Sequence, residues 1–169
     1  YKAGKKYTTS DMVSINTKGD RTLFFDFLPI GIGKIKGCDV KVQLYTVPGQ
    51  AKYGSTRKLV LKNVDGIVFV ADAMAVRREK NILALKNLQE NLANYKKSIF
   101  KLPLVMQYNK MDLNEQGIPL LGIKTLEKDL NCKLNSPSFK ASALKGANVV
   151  QTMKKIIALT MKSIVSELK

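Results

Sequence analysis

The fold is decided by residues 66–72, Gly-Ile-Val-Phe-Val-Ala-Asp, and by residues 102–108, Leu-Pro-Leu-Val-Met-Gln-Tyr. Both stretches are almost continuously apolar, which is typical of strands buried on both faces of a parallel sheet. Residues 78–95 lie between them and predict a helix, because their apolar side chains recur at helical spacing. These side chains are Ile82, Leu85, Leu88, Leu92 and Tyr95. The order strand, helix, strand predicts a parallel βαβ unit.

The same alternation continues toward the C-terminus. A weaker helix is predicted around Leu126 and Leu130, a short strand over residues 137–141, and a last helix from about residue 148 onward. The predicted buried stripe of this last helix consists of Val150, Met153, Ile157, Ile164 and Leu168. Alternating strands and helices predict an α/β fold with a doubly wound, mostly parallel sheet.

The N-terminal part predicts a hairpin. Residues 22–28 are aromatic-rich and predict a strand that Pro29 ends. From residue 39 the pattern alternates, with Val40, Val42 and Leu44 on one face, and predicts a second strand. A turn over residues 33–37 would make this pair antiparallel, and a short helix is expected after Gly54.

Composition bounds the class of protein. The 169 residues contain no internal repeat or linker, so residues 1–169 are predicted to form a single domain. Histidine is absent, which excludes Ser-His-Asp and Cys-His hydrolases and His-ligated metal sites. No apolar run approaches the roughly 20 residues that a membrane span needs.

The charge is strongly basic, with 29 Lys and Arg against 13 Asp and Glu, a net charge of +16. This charge favours an anionic partner, whether nucleotide phosphates, nucleic acid, a membrane surface or an acidic protein, without choosing among them. No nucleic-acid-binding motif accompanies the scattered lysines, so a solvated surface is favoured over a specific nucleic-acid face.

Residues 109–112, Asn-Lys-Met-Asp, follow directly on a predicted buried strand. The carboxylate of Asp112 can accept hydrogen bonds from N1–H and the exocyclic amine of guanine, whereas adenine offers it neither donor. Asn109 can bond the base edge, and the aliphatic stem of Lys110 can cover one face of the ring. The alternative is an ordinary polar turn at the end of a strand.

Further polar residues follow other predicted strands. Ser142 and Ala143 come one βα unit later, and their small side chains would let backbone N–H groups approach a base oxygen. Gly49 can bring a backbone N–H close to a terminal phosphate, and Gln50 can orient an attacking water, although Pro-Gly turns are common.

Arg21 and Thr22 stand at the entry of the first predicted strand. The Thr22 hydroxyl suits Mg²⁺, and Arg21 could reach charge that develops on a transferred phosphoryl group. The alternative is an exposed ion pair of Arg21 with Asp20, which would contribute under about 1 kcal/mol.

In this order, the motifs resemble those of the Ras-like small GTPases, and in particular the MglA-type branch of bacterial gliding-motility and cell-polarity proteins. The resemblance covers nearly the whole chain and is most specific over Arg21–Pro29, Leu44–Gln50, Arg57–Asp72 and Gln107–Leu113. It implies a Ras-like P-loop NTPase fold, GTP or GDP with Mg²⁺ as cofactors, slow GTP hydrolysis, and a cytoplasmic location at a cell pole.

The resemblance also implies residue roles. Asn109, Lys110 and Asp112 look like the guanine-specificity motif, with Ser142 and Ala143 as its backbone complement. Gly49 and Gln50 look like the switch II elements that sense the γ-phosphate and position water. Thr22 looks like the switch I threonine that completes Mg²⁺ coordination, and Arg21 like an arginine finger supplied within the chain. The implied partners are a roadblock-fold (MglB-like) activating protein and polar response-regulator effectors.

Two features depart from the Ras-like pattern. Most Ras-like proteins have aspartate where Thr46 stands, although the MglA-type branch shares this substitution. The sequence also contains no G-x-x-x-x-G-K-[ST] loop, which holds the β-phosphate, nor the strand before it. We expect the natural chain to carry both on about 30 further residues upstream of Tyr1.

Two other functions remain open at this point. One is a nucleotide-free scaffold that keeps the fold and the partner surface but hydrolyses nothing. The other is a basic RNA-associated GTPase, which steeply salt-dependent retention of RNA would favour.

Overall fold

A computed structural model describes residues 27–35, 38–47 and 54–167. The chain divides into two units, Tyr1–Asn63 and Val64–Lys169, which are taken in turn. The prediction that residues 1–169 form one domain is not tested by this division.

The first unit contains an antiparallel hairpin of β1 (Phe27–Ile35) and β2 (Cys38–Tyr45), followed by helix α1 (Gly54–Leu61). The hairpin and the short helix confirm the sequence prediction. The predicted alternation of β2 is confirmed as well, because Val42 and Leu44 are half-buried whereas Lys41 and Gln43 are exposed.

The prediction that Pro29 ends the first strand is wrong. Pro29 lies inside β1 and pairs with Gln43, and the strand continues to Ile35. Each strand of a two-stranded pair has one unpaired side, where the missing N–H of a proline costs nothing. Gly31 and Gly33 mark a bulge, since Gly31 pairs with Lys41 and Gly33 with Val40, which leaves Ile32 extra.

The second unit is a three-stranded parallel sheet with helices between its strands, which confirms the predicted α/β alternation. The sheet order is β3-β4-β5, with β3 at Ile67–Asp72, β4 at Leu104–Asn109 and β5 at Ser138–Lys140. The helices are α2 (Arg78–Ala93), α3 (Ile123–Leu130) and α4 (Val149–Glu167). Single 3₁₀ segments at Ala75–Arg77 and Met111–Gln116 follow β3 and β4.

The core of this unit is centred on β4. Every residue from Leu104 to Tyr108 is buried, as expected for a strand with a neighbour on each side and a layer on each face. The Tyr108 hydroxyl is buried and meets no hydrogen-bond partner in the part of the chain that the structure describes. Burial, with a smaller effect of Glu127, raises the pKa of Tyr108, so the phenol stays neutral.

The predicted buried faces of two helices need correction. In α2, Leu85, Leu88 and Leu92 are buried as predicted, but Asn81 is buried as well, whereas Ile82 is 36% exposed. Asn81 turns inward because both ends of its amide bond the backbone of Asp72.

In α4 the buried residues are Thr152 and Ile156, one position away from the predicted Met153 and Ile157, and Val150 is 37% exposed. The Thr152 hydroxyl is satisfied inside the helix, since it donates to the carbonyl of Asn148 at 2.7 Å. A threonine can therefore occupy the centre of the buried face. Leu168 lies outside the described residues.

Gly66 fixes how closely α4 approaches the start of β3. A Cβ at this position would lie 2.1 Å from Thr160 Oγ1 and 3.3 Å from Ile156 Cδ1. We expect Gly66→Ala to lower the free energy of unfolding by about 1–3 kcal/mol through overpacking. Denaturant unfolding measures this, and Gly66→Ala combined with Thr160→Ala should recover much of the loss. If the double variant were no more stable than Gly66→Ala alone, this contact would not be the cause.

Candidate functional site

The carboxyl ends of the three parallel strands meet at one edge of the sheet. Asp72 at the end of β3 pairs in register with Asn109 at the end of β4, and Tyr108 pairs with Lys140 at the end of β5. Ligands of open α/β sheets bind beyond this edge. The segments after the strands, around residues 72, 109–112 and 141–143, therefore form the candidate site.

A side-chain hydrogen bond joins two of these segments. The Asn109 side chain accepts a hydrogen bond from the backbone N–H of Ala143 at 2.8 Å. Because a backbone N–H only donates, the Asn109 atom facing it is Oδ1, and the Nδ2 group is left as a donor. Nδ2 donates to no other residue in the described ranges. The structure therefore holds Asn109 with its amide donor available.

Ser142 and Ala143 lie in a turn that is itself well bonded. Ser142 is buried, its backbone N–H donates to Ala147 at 3.1 Å, and its hydroxyl accepts from the N–H of Lys145 at 3.0 Å. Asn148 anchors the far end of the turn by donating to the carbonyl of Lys140 at 2.7 Å. The backbone N–H groups of Ser142 and Ala143 thus both have acceptors within the protein. Through the N–H of Ala143, the turn holds the side chain of Asn109.

Asp112 lies in the first turn of the 3₁₀ segment and is 8% exposed. The segment is tied to β5, since the N–H of the preceding Met111 donates to the carbonyl of Ala141 at 3.1 Å. No ion pair or hydrogen bond to the Asp112 carboxylate occurs within residues 27–35, 38–47 and 54–167. The Asp112 carboxylate therefore keeps two acceptor oxygens that no described residue uses.

Lys110 is held by Asp72. Lys110 has a left-handed backbone, with φ of 70°, a conformation that costs a non-glycine residue about 1–3 kcal/mol and is common at functional sites. Its ammonium lies 2.8 Å from Asp72 Oδ2. This contact fixes the end of the side chain, so that its aliphatic stem runs between the tips of β4 and β3.

Asp72 was not predicted as a site residue, although it closes one of the apolar stretches. Its second carboxylate oxygen accepts from the backbone N–H of Met74 at 3.0 Å, and Arg77 Nε lies 3.8 Å from Oδ2. Asn81 holds its backbone by two hydrogen bonds, at 3.1 and 2.8 Å. The signal in the sequence was an aspartate at the same strand end as Asn109, because in a parallel pair such residues become neighbours.

The other predicted site residues lie outside the described residues. These are Arg21 and Thr22 near the first strand and Gly49 and Gln50 after β2. Within the described ranges, no group of three or more Asp, Glu, Cys or His side chains is arranged to hold a metal. No helix in those ranges is long and apolar enough to cross a membrane.

The described groups match the hydrogen-bonding pattern of guanine. Asp112 offers two carboxylate acceptors, which suit N1–H and the exocyclic amine, and Asn109 Nδ2 offers a donor for the opposite edge of the base. Adenine carries an acceptor at N1 and no amine at C2, so a carboxylate at this place would repel it. The residues at the strand tips therefore fit a guanine base.

The comparisons with known proteins agree with this chemistry. Residues 6–162 match the Ras family. The chain is also 44% identical over 154 residues to the mutual gliding-motility protein MglA of Myxococcus xanthus (strain DK1622), a match that covers 91% of this chain and 76% of that protein. With the strand order and the strand-tip residues described above, this match shows a P-loop GTPase fold of the Ras-like, MglA type, and the chain belongs to the Ras family.

Proposed function

We propose that the protein is a guanine-nucleotide switch that binds GTP and GDP and hydrolyses GTP. The observation that carries the proposal is a pair of side chains at the strand tips, the Asp112 carboxylate and the Asn109 amide, whose hydrogen-bonding groups are available to a ligand. Asp112 is buried without a hydrogen-bonding partner among the described residues, and Asn109 is fixed by Ala143 with its amide donor available. Membership of the Ras family supports the nucleotide class.

In this proposal, the base lies between the 109–112 and 141–144 segments. Asp112 accepts from N1–H and the exocyclic amine, and the Lys110 stem covers one ring face. Asn109 donates to the opposite edge, while Ser142 and Ala143 place backbone N–H groups beside the base oxygen. The backbone N–H groups of Ser142 and Ala143 already donate to Ala147 and Asn109, so each would be shared with the base. This sharing couples the orientation of Asn109 to nucleotide binding.

The phosphate end of the site rests on residues outside the described ranges. Thr22 would ligate Mg²⁺, and Gly49 would place its backbone N–H at the γ-phosphate. When bound, Mg²⁺ would supply positive charge that neutralises the phosphates. Gln50 would orient the attacking water, and Arg21 would stabilise charge developing on the transferred phosphoryl group. Hydrolysis needs both residues placed together, so intrinsic turnover should be slow.

The biological output is proposed from the relative. MglA of Myxococcus xanthus is named for mutual gliding motility. We propose that this protein likewise controls gliding motility and cell polarity, through surfaces near Thr22 and Gln50 that change between the GTP and GDP states. Its proposed partners are a roadblock-fold (MglB-like) activating protein and polar response-regulator effectors.

Asp72 is proposed as a positioning residue for this site. Asp72→Asn removes the charge that holds the Lys110 ammonium at 2.8 Å. We expect GDP to dissociate roughly five to ten times faster, because a hydrogen bond to a charged group is worth about 1.5 kcal/mol or less once solvent screening is included. Stopped-flow release of fluorescent GDP measures this rate.

The matched control is Asp129→Asn, which breaks the bidentate pair of Asp129 with Arg78 at 2.7 and 3.0 Å, between α2 and α3, and leaves the Asp72–Lys110 pair in place. These hydrogen bonds hold the pKa of Asp129 below its usual range. We expect this variant to release GDP at the wild-type rate. If GDP release were equally faster in both variants, or unchanged in Asp72→Asn, Asp72 would not be a positioning residue of this site.

Release of phosphate from GTP tests the proposed function directly. The full-length protein should convert bound GTP to GDP in a single-turnover assay, and the rate should rise when an MglB-like activating protein is added. GTP that remains intact over many hours, with and without that partner, would favour the nucleotide-free or non-hydrolysing scaffold.

A further inference from the structure

A basic surface lies at the end of the sheet opposite the candidate site. It surrounds a shallow cleft of about 430 Å³ at the amino ends of β4 and β5, beside the second half of α4. Lys101 and Lys162 line this cleft together with the hydroxyls of Ser136, Ser163 and Ser166, and no acidic residue lines it. We call this surface, with Lys96 and Phe100 beside it, the amino-end patch.

A second groove of about 320 Å³ shares Lys101 with the first and adds Lys96 and Lys97. Two carboxylates, Asp65 and Glu167, also line this groove. The Lys97 ammonium is used inside the protein, since it donates to the carbonyl of Val64 at 2.7 Å. Lys96, Lys101 and Lys162 make no ion pair within the described part of the chain, so their charges face outward.

An exposed aromatic side chain stands among these lysines. Phe100 is 63% exposed, whereas its neighbour Ile99 is 4% exposed. The segment is well ordered by hydrogen bonds, because the N–H groups of Lys101 and Leu102 donate to the carbonyl of Ser98 at 3.0 and 3.2 Å. The N–H of Phe100 also bonds the Ser98 hydroxyl at 3.3 Å. Phe100 is therefore held outward by a fixed turn with Ile99 as its anchor.

We propose that the amino-end patch docks the protein on the surface of an anionic phospholipid bilayer. Phe100 would enter the interface, where aromatic rings sit at the headgroup level, and Lys96, Lys101 and Lys162 would contact lipid phosphates. The hydroxyls of Ser136 and Ser163 can donate to phosphodiester oxygens, whereas the Ser166 hydroxyl already donates to the carbonyl of Lys162 at 2.8 Å. The net charge of +16 adds long-range attraction to the same surface.

This orientation leaves the strand tips free. The patch lies at the amino ends of β4 and β5, and Asn109 and Ala143 lie at their carboxyl ends. Nucleotide and membrane could therefore be bound together, and docking does not depend on the proposed GTPase activity.

A tryptophan introduced at Phe100 tests this docking, because residues 1–169 contain none. Phe100→Trp in the full-length protein should show a blue-shifted emission with vesicles of 70% phosphatidylcholine and 30% phosphatidylglycerol, and no shift with pure phosphatidylcholine. The matched control is Leu83→Trp, which is 57% exposed on α2 and should not respond. No shift for Phe100→Trp, or equal shifts at both positions, would overturn the proposal.

Charge reversal gives a second, independent measurement. Lys101→Glu with Lys162→Glu should lower vesicle partitioning at least tenfold in co-sedimentation at about 150 mM salt. The control variant, Lys80→Glu with Lys86→Glu on α2, changes the net charge by the same amount. Its vesicle partitioning should fall less than about threefold. Phe100→Ser should also weaken binding while unfolding as the wild type does. Equal losses in both charge variants, or binding of an oligonucleotide by these lysines without vesicle binding, would contradict membrane docking.

Discussion

Asp112→Asn should convert the protein from a guanine-binding to a xanthine-binding one. Asp112 is 8% exposed, and its carboxylate accepts no hydrogen bond from the described part of the chain, so the proposed bonds to N1–H and the exocyclic amine are its main use. Two hydrogen bonds to a charged acceptor, at about 1.5 kcal/mol each, correspond to a loss of GDP affinity of at least about 100-fold. Xanthine carries a carbonyl at C2, to which the new amide can donate.

Competition between GDP and xanthosine diphosphate for the same fluorescent nucleotide measures this change. The substitution is nearly isosteric, so the thermal unfolding midpoint should stay close to that of the wild type. Asp129→Asn serves as the matched control, since it also replaces an aspartate carboxylate by an amide. Asp129 pairs with Arg78, between α2 and α3. An Asp112→Asn protein that keeps its preference for GTP over xanthosine triphosphate would refute the base assignment.

Arg21→Ala and Gln50→Ala should each slow GTP hydrolysis strongly while GDP binding persists. An arginine that stabilises charge on the transferred phosphoryl group is worth about 10³-fold or more in rate. We therefore expect the partner-stimulated rate of Arg21→Ala to fall by roughly that factor. Gln50→Ala removes the group that orients the attacking water, so its hydrolysis rate should fall by about 100-fold.

Lys58→Ala is a suitable control for the arginine variant, because Lys58 is an exposed cation of α1. It should hydrolyse GTP like the wild type. Single-turnover hydrolysis separates these effects from binding, which is followed with fluorescent GDP. Wild-type turnover in both Arg21→Ala and Gln50→Ala would refute their catalytic roles, and a loss of GDP binding would show that they act on affinity instead.

The polar residues at the strand tips could be predicted because they follow directly on apolar stretches that predict strands. Residues 66–72 and 102–108 are almost continuously apolar, which is typical of strands in a parallel sheet, and the polar groups follow immediately. Burial on both faces is confirmed for Leu104–Tyr108 but not for the other strand, where Val70 is 53% exposed. Once the strands are placed, register brings Asn109 beside Asp72 on one side and beside the segment after Lys140 on the other. The fold class and the proposed guanine-binding segment could therefore be predicted without knowledge of the tertiary structure.

The missed features depend on contacts between side chains that are distant in sequence. Asp72 looked like the end of an apolar stretch, and its role appears only with Lys110 at 2.8 Å. Asn81 replaces Ile82 on the buried face of α2 because the backbone of Asp72 needs partners there. Periodicity alone cannot tell a polar residue that bonds an internal carbonyl from one that faces water.

The extent of β1 and the buried face of α4 also differ from the prediction for local reasons. Pro29 was expected to end β1, yet it continues the strand because a two-stranded pair leaves one side of each strand unbonded. In α4 the buried face is shifted to Thr152 and Ile156, since the hydroxyl of Thr152 bonds within its own helix. Local rules on proline and polar residues therefore fail where a proline needs no hydrogen-bond partner, or where the backbone of the same helix supplies a partner for a polar side chain.

Nucleotide retention by the full-length protein tests the central assignment most directly. Purified protein is incubated with labelled GDP and Mg²⁺, and bound label is measured against an excess of unlabelled GDP or ADP. We predict one GDP per chain, displaced by GDP and unaffected by a 100-fold excess of ADP. A protein that retains no GDP, or releases it equally to ADP, would contradict a guanine site at these strand tips.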